Sequence, residues 1–297
     1  ILLMLYISST FTKDQTPFKE TFKLCEQNKI SNIEIGSNHC YEENLDYIIK
    51  KKNYNFLVHN YFPIPEKDFV VNIASSNQSI RERSIDHIFN SLKFCNLIDA
   101  KLYTFHPGFL TDPDGSKQFR DNYDFNWNNS LLSKTNYSES FDLMIESLKK
   151  IIKFAKDLKI NVSIESEGSF HKNQHLLMQQ PEEFTKLFWI FDNKEFGINL
   201  NIGHLNLASR AFNFDKLEFV NVIKDNIVAF ELSHNDGNED EHKPLIDNQW
   251  YWDVINDNFF DKCFKILEFR NQNISTIIKT INLFNFKKNQ YDFNMKQ

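Results

Sequence analysis

A single-domain (β/α)8 TIM barrel is the fold class that this sequence predicts, on three observations. Short apolar runs and helical patterns alternate about eight times along 297 residues, with no linker or composition break between them. That rhythm marks parallel βαβ units. A doubly wound sheet shares it, but would usually carry a glycine-rich phosphate loop after an early strand. This chain has seven glycines and no G-x-G-x-x-G. Third, the apolar runs end in acids and imidazoles, and a barrel brings the carboxyl ends of all its strands to one rim. The expected domain is 1–297.

The elements follow in order. Leu2 to Ser8 reads as a first strand closed by Ser-Ser-Thr, and Pro17 to Gln27 as a helix. Asn32 to Ile35 is a second strand ended by Gly36; Glu43 to Lys52 is helical. Asn55 to His59 is a third strand, followed by the non-helical YFPIP. Ser79 to Ile98 is a helix because Ile80, Ile85, Ile88, Leu92 and Cys95 recur on one face. Lys101 to Phe105 is a fourth strand running into His106-Pro107-Gly108. The long segment from Phe109 to Asn136, with Phe119, Tyr123, Phe125 and Trp127, has the length of a lid or binding loop. A locally packed insertion fits it equally well.

Ser138 to Leu158 is helical, with Leu143, Ile145, Leu148, Ile151, Ile152 and Ala155 as its apolar positions. Asn161 to Glu165 is the fifth strand, and Pro181 to Phe191 a helix with proline in its first turn. Phe196 to Leu200 is the sixth strand, leading into Asn201-Ile202-Gly203-His204; the next helix is expected over Phe214 to Lys224. Ile227 to Leu232 is the seventh strand, Asp253 to Phe260 a short helix, Cys263 to Phe269 the eighth strand, and Ile274 to Phe284 a closing helix.

The net charge of −6 and pI near 5.9 give no general attraction to nucleic acid or an anionic membrane. Cys25, Cys40, Cys95 and Cys263 form no C-x-x-C pair and read as reduced thiols of a cytoplasmic protein. The opening ILLMLYISST is too short to span a membrane and lacks the signal-peptide pattern. Arg81, Arg83, Arg120, Arg210 and Lys243 lie in no phosphate-cradling motif and read as surface charge.

The chemistry concentrates at the strand ends. Strand two carries Glu34, strand three His59, strand four His106 and strand five Glu165. Strand six leads to Asn201 and His204, strand seven carries Glu231 with His234, Asp240 and His242 beyond it, and strand eight carries Glu268. Any one of these is more often structural than functional. So many carboxyl and imidazole groups at one rim need a metal, or one another, to offset desolvation.

The ordered set VHNYFPIP (58–65), NIASSNQSIRERSIDHI (72–88), TFHPG (104–108), NVSIES (161–166), NIGH (201–204), ELSHNDGNEDEH (231–242) and ILEF (266–269) resembles the xylose-isomerase-like barrel superfamily. That superfamily joins sugar and sugar-phosphate isomerases and epimerases to endonuclease-IV-type AP endonucleases. The resemblance implies Glu165 and Glu268 as metal ligands and catalytic bases. It implies Asn201, Glu231 and His234 as further metal positions, and His59, His106, His204, Asp240 and His242 as substrate-binding. Two departures stand out: Asn201 replaces the usual Asp of D-x-x-H, and Glu231 replaces the usual strand-seven His. A divalent ion held mainly by Glu165, Glu231 and Glu268 is expected, with Asn201 a weak ligand or a hydrogen-bond donor; the alternative is a metal bound differently, through His59, His106, Asp240 and His242. The oxygen-rich carboxylate set favours manganese or magnesium, with zinc compatible.

The implied activity is a metal-dependent isomerase or epimerase acting on a sugar or sugar phosphate through an enediolate. The alternatives are a metal-dependent phosphodiesterase of the endonuclease IV type and a degenerate barrel that binds a sugar without turning it over. Acidic balance argues against nucleic acid as partner. A homo-oligomer fits as well as a monomer.

Overall fold

The computed structural model describes residues 4–49, 51, 53–113, 136–169, 175–191 and 196–295. Eight parallel strands close in sequence order into a barrel. They are β1 (Leu5–Ser8), β2 (Asn32–Ile35), β3 (Asn55–His59), β4 (Leu102–Phe105), β5 (Asn161–Glu165), β6 (Phe196–Asn201), β7 (Ile227–Leu232) and β8 (Phe264–Leu267). The helices are α1 (Phe18–Gln27), α2 (Asp46–Ile49), α3 (Gln78–Leu97), α4 (Tyr137–Leu158), α5 (Pro181–Ile190), α6 (Ile202–Phe212), α7 (Lys216–Ile223), α8 (Tyr251–Asn256) and α9 (Ile274–Asn294).

Two departures from the sequence reading matter. Helix α6 begins directly after β6, over residues 202–212 to which the sequence reading assigned no helix. Asn201 caps it by accepting from the His204 N–H, and the helix ends where Asn213 turns left-handed at φ 58. The closing helix runs ten residues past Phe284 to Asn294, with Phe284 and Lys288 buried on its inner side.

Period-two alternation sorts each strand into two faces. Outward residues such as Val58, Ile164, Ile198, Phe230 and Leu267 join the large apolar layer beneath the helices. Inward residues change character along the barrel. At the amino end Tyr6, Leu57, Leu102, Ala229 and Ile266 form a separate apolar plug. Two residues further along the same strands stand Ser8, His59, Thr104, Glu231 and Glu268. The plug therefore supports a polar floor and closes one end of the barrel. Glu34 pairs in register with Ser8 on one side and with Leu57 on the other. The aromatics Phe119, Tyr123, Phe125 and Trp127, the expected lid, lie outside the described residues.

Candidate metal centre

The strand ends deliver their side chains to one buried cluster. Glu165 accepts from Asn201 Nδ2 at 2.8 Å, and its Oε1 lies 3.1 Å from His204 Nδ1. Its Oε2 lies 3.5 Å from both His59 Nε2 and His106 Nδ1 and has no hydrogen-bond partner. His59, His106 and Glu165 thus offer three ligand atoms within 4.8 Å of one another. A second such triad is His204, Asp240 and His242. A third combination, Glu34, His59 and Glu231, shares His59 with the first.

Test of fit to a metal turns on what lies behind each ring, because a ligating imidazole normally gives its second nitrogen to a carboxylate or carbonyl. His204 Nδ1 donates to the Ser166 carbonyl at 2.9 Å, which leaves Nε2 facing Asp240 Oδ2 at 3.4 Å. His242 places Nδ1 3.1 Å from Glu268 and Nε2 2.8 Å from Asp240 Oδ2. His59 places Nδ1 3.1 Å from Glu231 and Nε2 toward Glu165. His106 Nδ1 is 2.7 Å from Glu167. Asp240 Oδ1 and Glu165 Oε2 are buried without partners. Two imidazoles and one carboxylate with an open position form a zinc-type catalytic set, so both triads fit a divalent ion.

Electrostatics in the ion-free chain follow from this packing. Burial opposes the charge of Glu165, but His106, His204 and His59 outweigh it and hold the carboxyl well below its usual range. Burial likewise opposes Asp240, and His242 and His204 pull it well down. Glu268 is lowered against its burial by His242. In return His204 is raised well above its ordinary value by Asp240 and Glu165 in spite of burial. His242, against burial and Arg270, is pushed up to about 9 by Asp240 and Glu268. Glu34 and Glu231 go the other way. Burial, with Glu231 beside the first and Glu165 and Glu268 beside the second, raises both well above the carboxylate range and favours their neutral forms.

The loop carrying Asp240 and His242 is folded back by a bridge in which His234 and Lys243 exchange backbone hydrogen bonds of 2.8 and 3.0 Å. Gly237 makes the turn at φ 79, and Asn235 ties the loop to α6 through the Gly203 carbonyl. His242 itself sits at φ 44, a conformation that non-glycine residues adopt rarely and mostly where surrounding contacts enforce it. His234, expected among the metal positions, packs its ring against Tyr251 and joins neither triad. The five residues expected to bind substrate, His59, His106, His204, Asp240 and His242, supply the triads. Asn201 takes the donor role, and both Glu231 oxygens accept side-chain amides, from Asn199 at 2.6 Å and Asn201 at 3.1 Å. Sequence reading missed Glu167 and Asn199 and left Glu34 out of the site. Period-two alternation back from Asn201 would have turned Asn199 inward; Glu167 lies past its strand, where alternation no longer applies.

Above the cluster opens a cavity of about 570 Å³, lined on its floor by His59, Glu165, Asp240 and Glu268 and on one side by Tyr61 and Phe69. Asp14, Asp68, Asp112, Arg83 and Arg270 also line it. Among the described residues no helix is long and apolar enough to cross a membrane.

Residues 22–285 match the family described as xylose isomerase-like TIM barrel. An uncharacterized protein of Methanocaldococcus jannaschii is 24% identical over 208 residues, which are 70% of this chain and 61% of that protein. The chain thus spans less than two thirds of that relative. The protein named probable endonuclease 4 of Aquifex aeolicus is 27% identical over 114 residues, 34% of this chain and 40% of that one. A solved structure of a D-tagatose 3-epimerase-like protein superposes with a TM-score of 0.73 at 20% identity, covering 98% of this chain and 99% of the other.

Proposed function

The chain belongs to the xylose isomerase-like TIM-barrel family, and from that premise we propose that it is a divalent-metal-dependent isomerase or epimerase of a small sugar or sugar phosphate. The observation that carries this reading is the placement of two carboxylates held ionised at the cavity floor. Glu165 and Glu268, from β5 and just past β8, both reach the Asn201 amide and both line the cavity. A base must be ionised to take a proton from carbon, and the neighbouring imidazoles hold both groups in that form. Ions held by the two triads would act as Lewis acids, stabilising negative charge that develops on substrate oxygens. Glu268 lies outside both triads and, with Glu165, is available to move a proton between adjacent carbons. Glu165 divides its oxygens, Oε1 toward Asn201 and His204, Oε2 toward His59 and His106. Tyr61 and Phe69 offer an apolar wall to the C–H face of a ring. The cavity has room for a monosaccharide, and the net charge of −6 disfavours a polyanion. The nitrogen content of the triads moves the expected ion from magnesium toward zinc, with manganese between them.

Solvent exchange tests this directly. Metal-loaded protein incubated in deuterium oxide with a panel of ketoses and ketose phosphates should place deuterium on the carbon beside the carbonyl, read by proton NMR. No exchange on any member of the panel, with both triads loaded, would end the isomerase reading. A second reading, a metal-dependent phosphodiesterase, draws support from the two histidine-rich triads and from the partial match to probable endonuclease 4. Cleavage of an abasic-site duplex, steeply suppressed by salt, would replace the first reading with the second.

A further inference from the structure

The three carboxyl groups at the middle of the site surround an amide. Asn201 Nδ2 lies 2.8 Å from Glu165 Oε1, 3.1 Å from Glu231 Oε2 and 3.5 Å from Glu268 Oε2. Its Oδ1 accepts from the backbone N–H of His204 at 3.1 Å. That bond decides which way the amide faces. Turned over, its NH2 would meet an N–H and its carbonyl oxygen would meet three carboxyl groups. Asn199 Nδ2 donates to the other oxygen of Glu231, so side-chain amides take both. A divalent ion coordinates lone pairs and cannot share a position with N–H donors already aimed at them. Each of the two histidine-rich triads keeps a buried carboxylate lone pair without a partner: Glu165 Oε2, within reach of His59 and His106, and Asp240 Oδ1, on the carboxyl between His204 and His242.

We propose that the Asn201 carboxamide takes the place of a cation at the centre of this site. The protein then binds one divalent ion in each triad and none between Glu165, Glu231 and Glu268. This rests on the metal-binding half of the functional reading above and not on the reaction. Because the amide cross-links the carboxyl groups, the centre is assembled before any ion arrives. Aspartate at this position would keep the size of the side chain and its capping of α6. It would also turn a second anion-bearing oxygen toward three carboxyl groups that now face an N–H donor, and a buried cluster of that kind calls for a cation.

Wild type and Asn201→Asp, each stripped with chelator, reloaded with zinc and desalted, would be compared by plasma mass spectrometry. The expected result is one ion per triad in the wild type and one additional ion per chain in the variant. Adding Glu231→Gln to Asn201→Asp should remove that additional ion again. Equal zinc content in wild type and Asn201→Asp overturns the proposal. Crystals of zinc-loaded wild type give a test that needs no variant to fold. Anomalous peaks in the two triads with none at coordinating distance from Asn201 support the proposal, and a peak among Glu165, Glu231 and Glu268 overturns it. The same ion counts with no isomerase activity would support the proposal while ending the functional reading.

Discussion

Replacing Glu165 with glutamine acts on both of its jobs, because the structure dictates how the new amide must lie. Two donors face Oε1: Asn201 Nδ2 at 2.8 Å and His204 Nδ1 at 3.1 Å, the latter proton-bearing because its other partner is the Ser166 carbonyl. The glutamine oxygen must therefore take that side. Its NH2 then occupies the position of Oε2, 3.5 Å from both His59 Nε2 and His106 Nδ1, where an ion of the first triad would sit. The fold loses little. His106 keeps Glu167 at 2.7 Å and His204 keeps Asp240 at 3.4 Å, so neither imidazole is stranded. The expected cost in stability is roughly 1 to 2 kcal/mol, that of weakening a charge-assisted hydrogen bond. The chemistry loses much more. Removing a group of this acid–base kind lowers rates about 10²- to 10⁴-fold, or roughly 3 to 5 kcal/mol of barrier. The assays are zinc content by plasma mass spectrometry and deuterium incorporation by NMR. Glu165→Gln should lose one ion, keep the His204–Asp240–His242 ion, and lose exchange even at saturating metal. A variant with wild-type ion content and wild-type exchange would refute both the ligand role and the base role.

Two further predictions probe the scaffold. A Cβ on Gly168 would stand 2.0 Å from the His204 carbonyl oxygen, so Gly168→Ala must push the first turn of α6 away from β5. It should cost about 1 to 3 kcal/mol in urea melts and weaken zinc binding to the second triad; wild-type values for both would show that the close approach does not position His204. His87, buried between Tyr61 and Phe69, has its pKa lowered by burial and by Arg83 from 6.5 to about 4. Its folded pKa lies below the unfolded one, so the unfolded chain takes up the proton first, and stability is lost as pH falls from about 6.5 to about 4. The whole window is worth roughly 3 kcal/mol, and His87→Phe, which sacrifices no bond at the partnerless Nε2, should flatten that part of the stability profile. Parallel profiles for variant and wild type would place the acid sensitivity elsewhere.

Local pattern made much of this protein legible from its sequence. Period-two runs such as Asn161 to Glu165 and Ile227 to Leu232 locate strands, since burial on both faces demands apolar outward residues whatever the barrel encloses. Strand-end position alone brought Glu165, Glu231, Glu268, His59 and His106 to one rim, because parallel strands in a closed barrel must all end there. Helix α6 was lost for a local reason: its start is specified by the Asn201 cap and by packing onto the 235–242 loop, which outweigh Gly203. The division of labour within the site was legible only as open alternatives. Which residues meet in a triad depends on Cβ directions and on partners thirty or more residues away, such as Ser166 behind His204 and Glu231 behind His59. Asn201 reads in sequence as either a weak ligand or a hydrogen-bond donor, and nothing local decides between them. Only the fold, by giving its oxygen to the α6 N-terminus, turns its NH2 onto three carboxyl groups and makes it a donor.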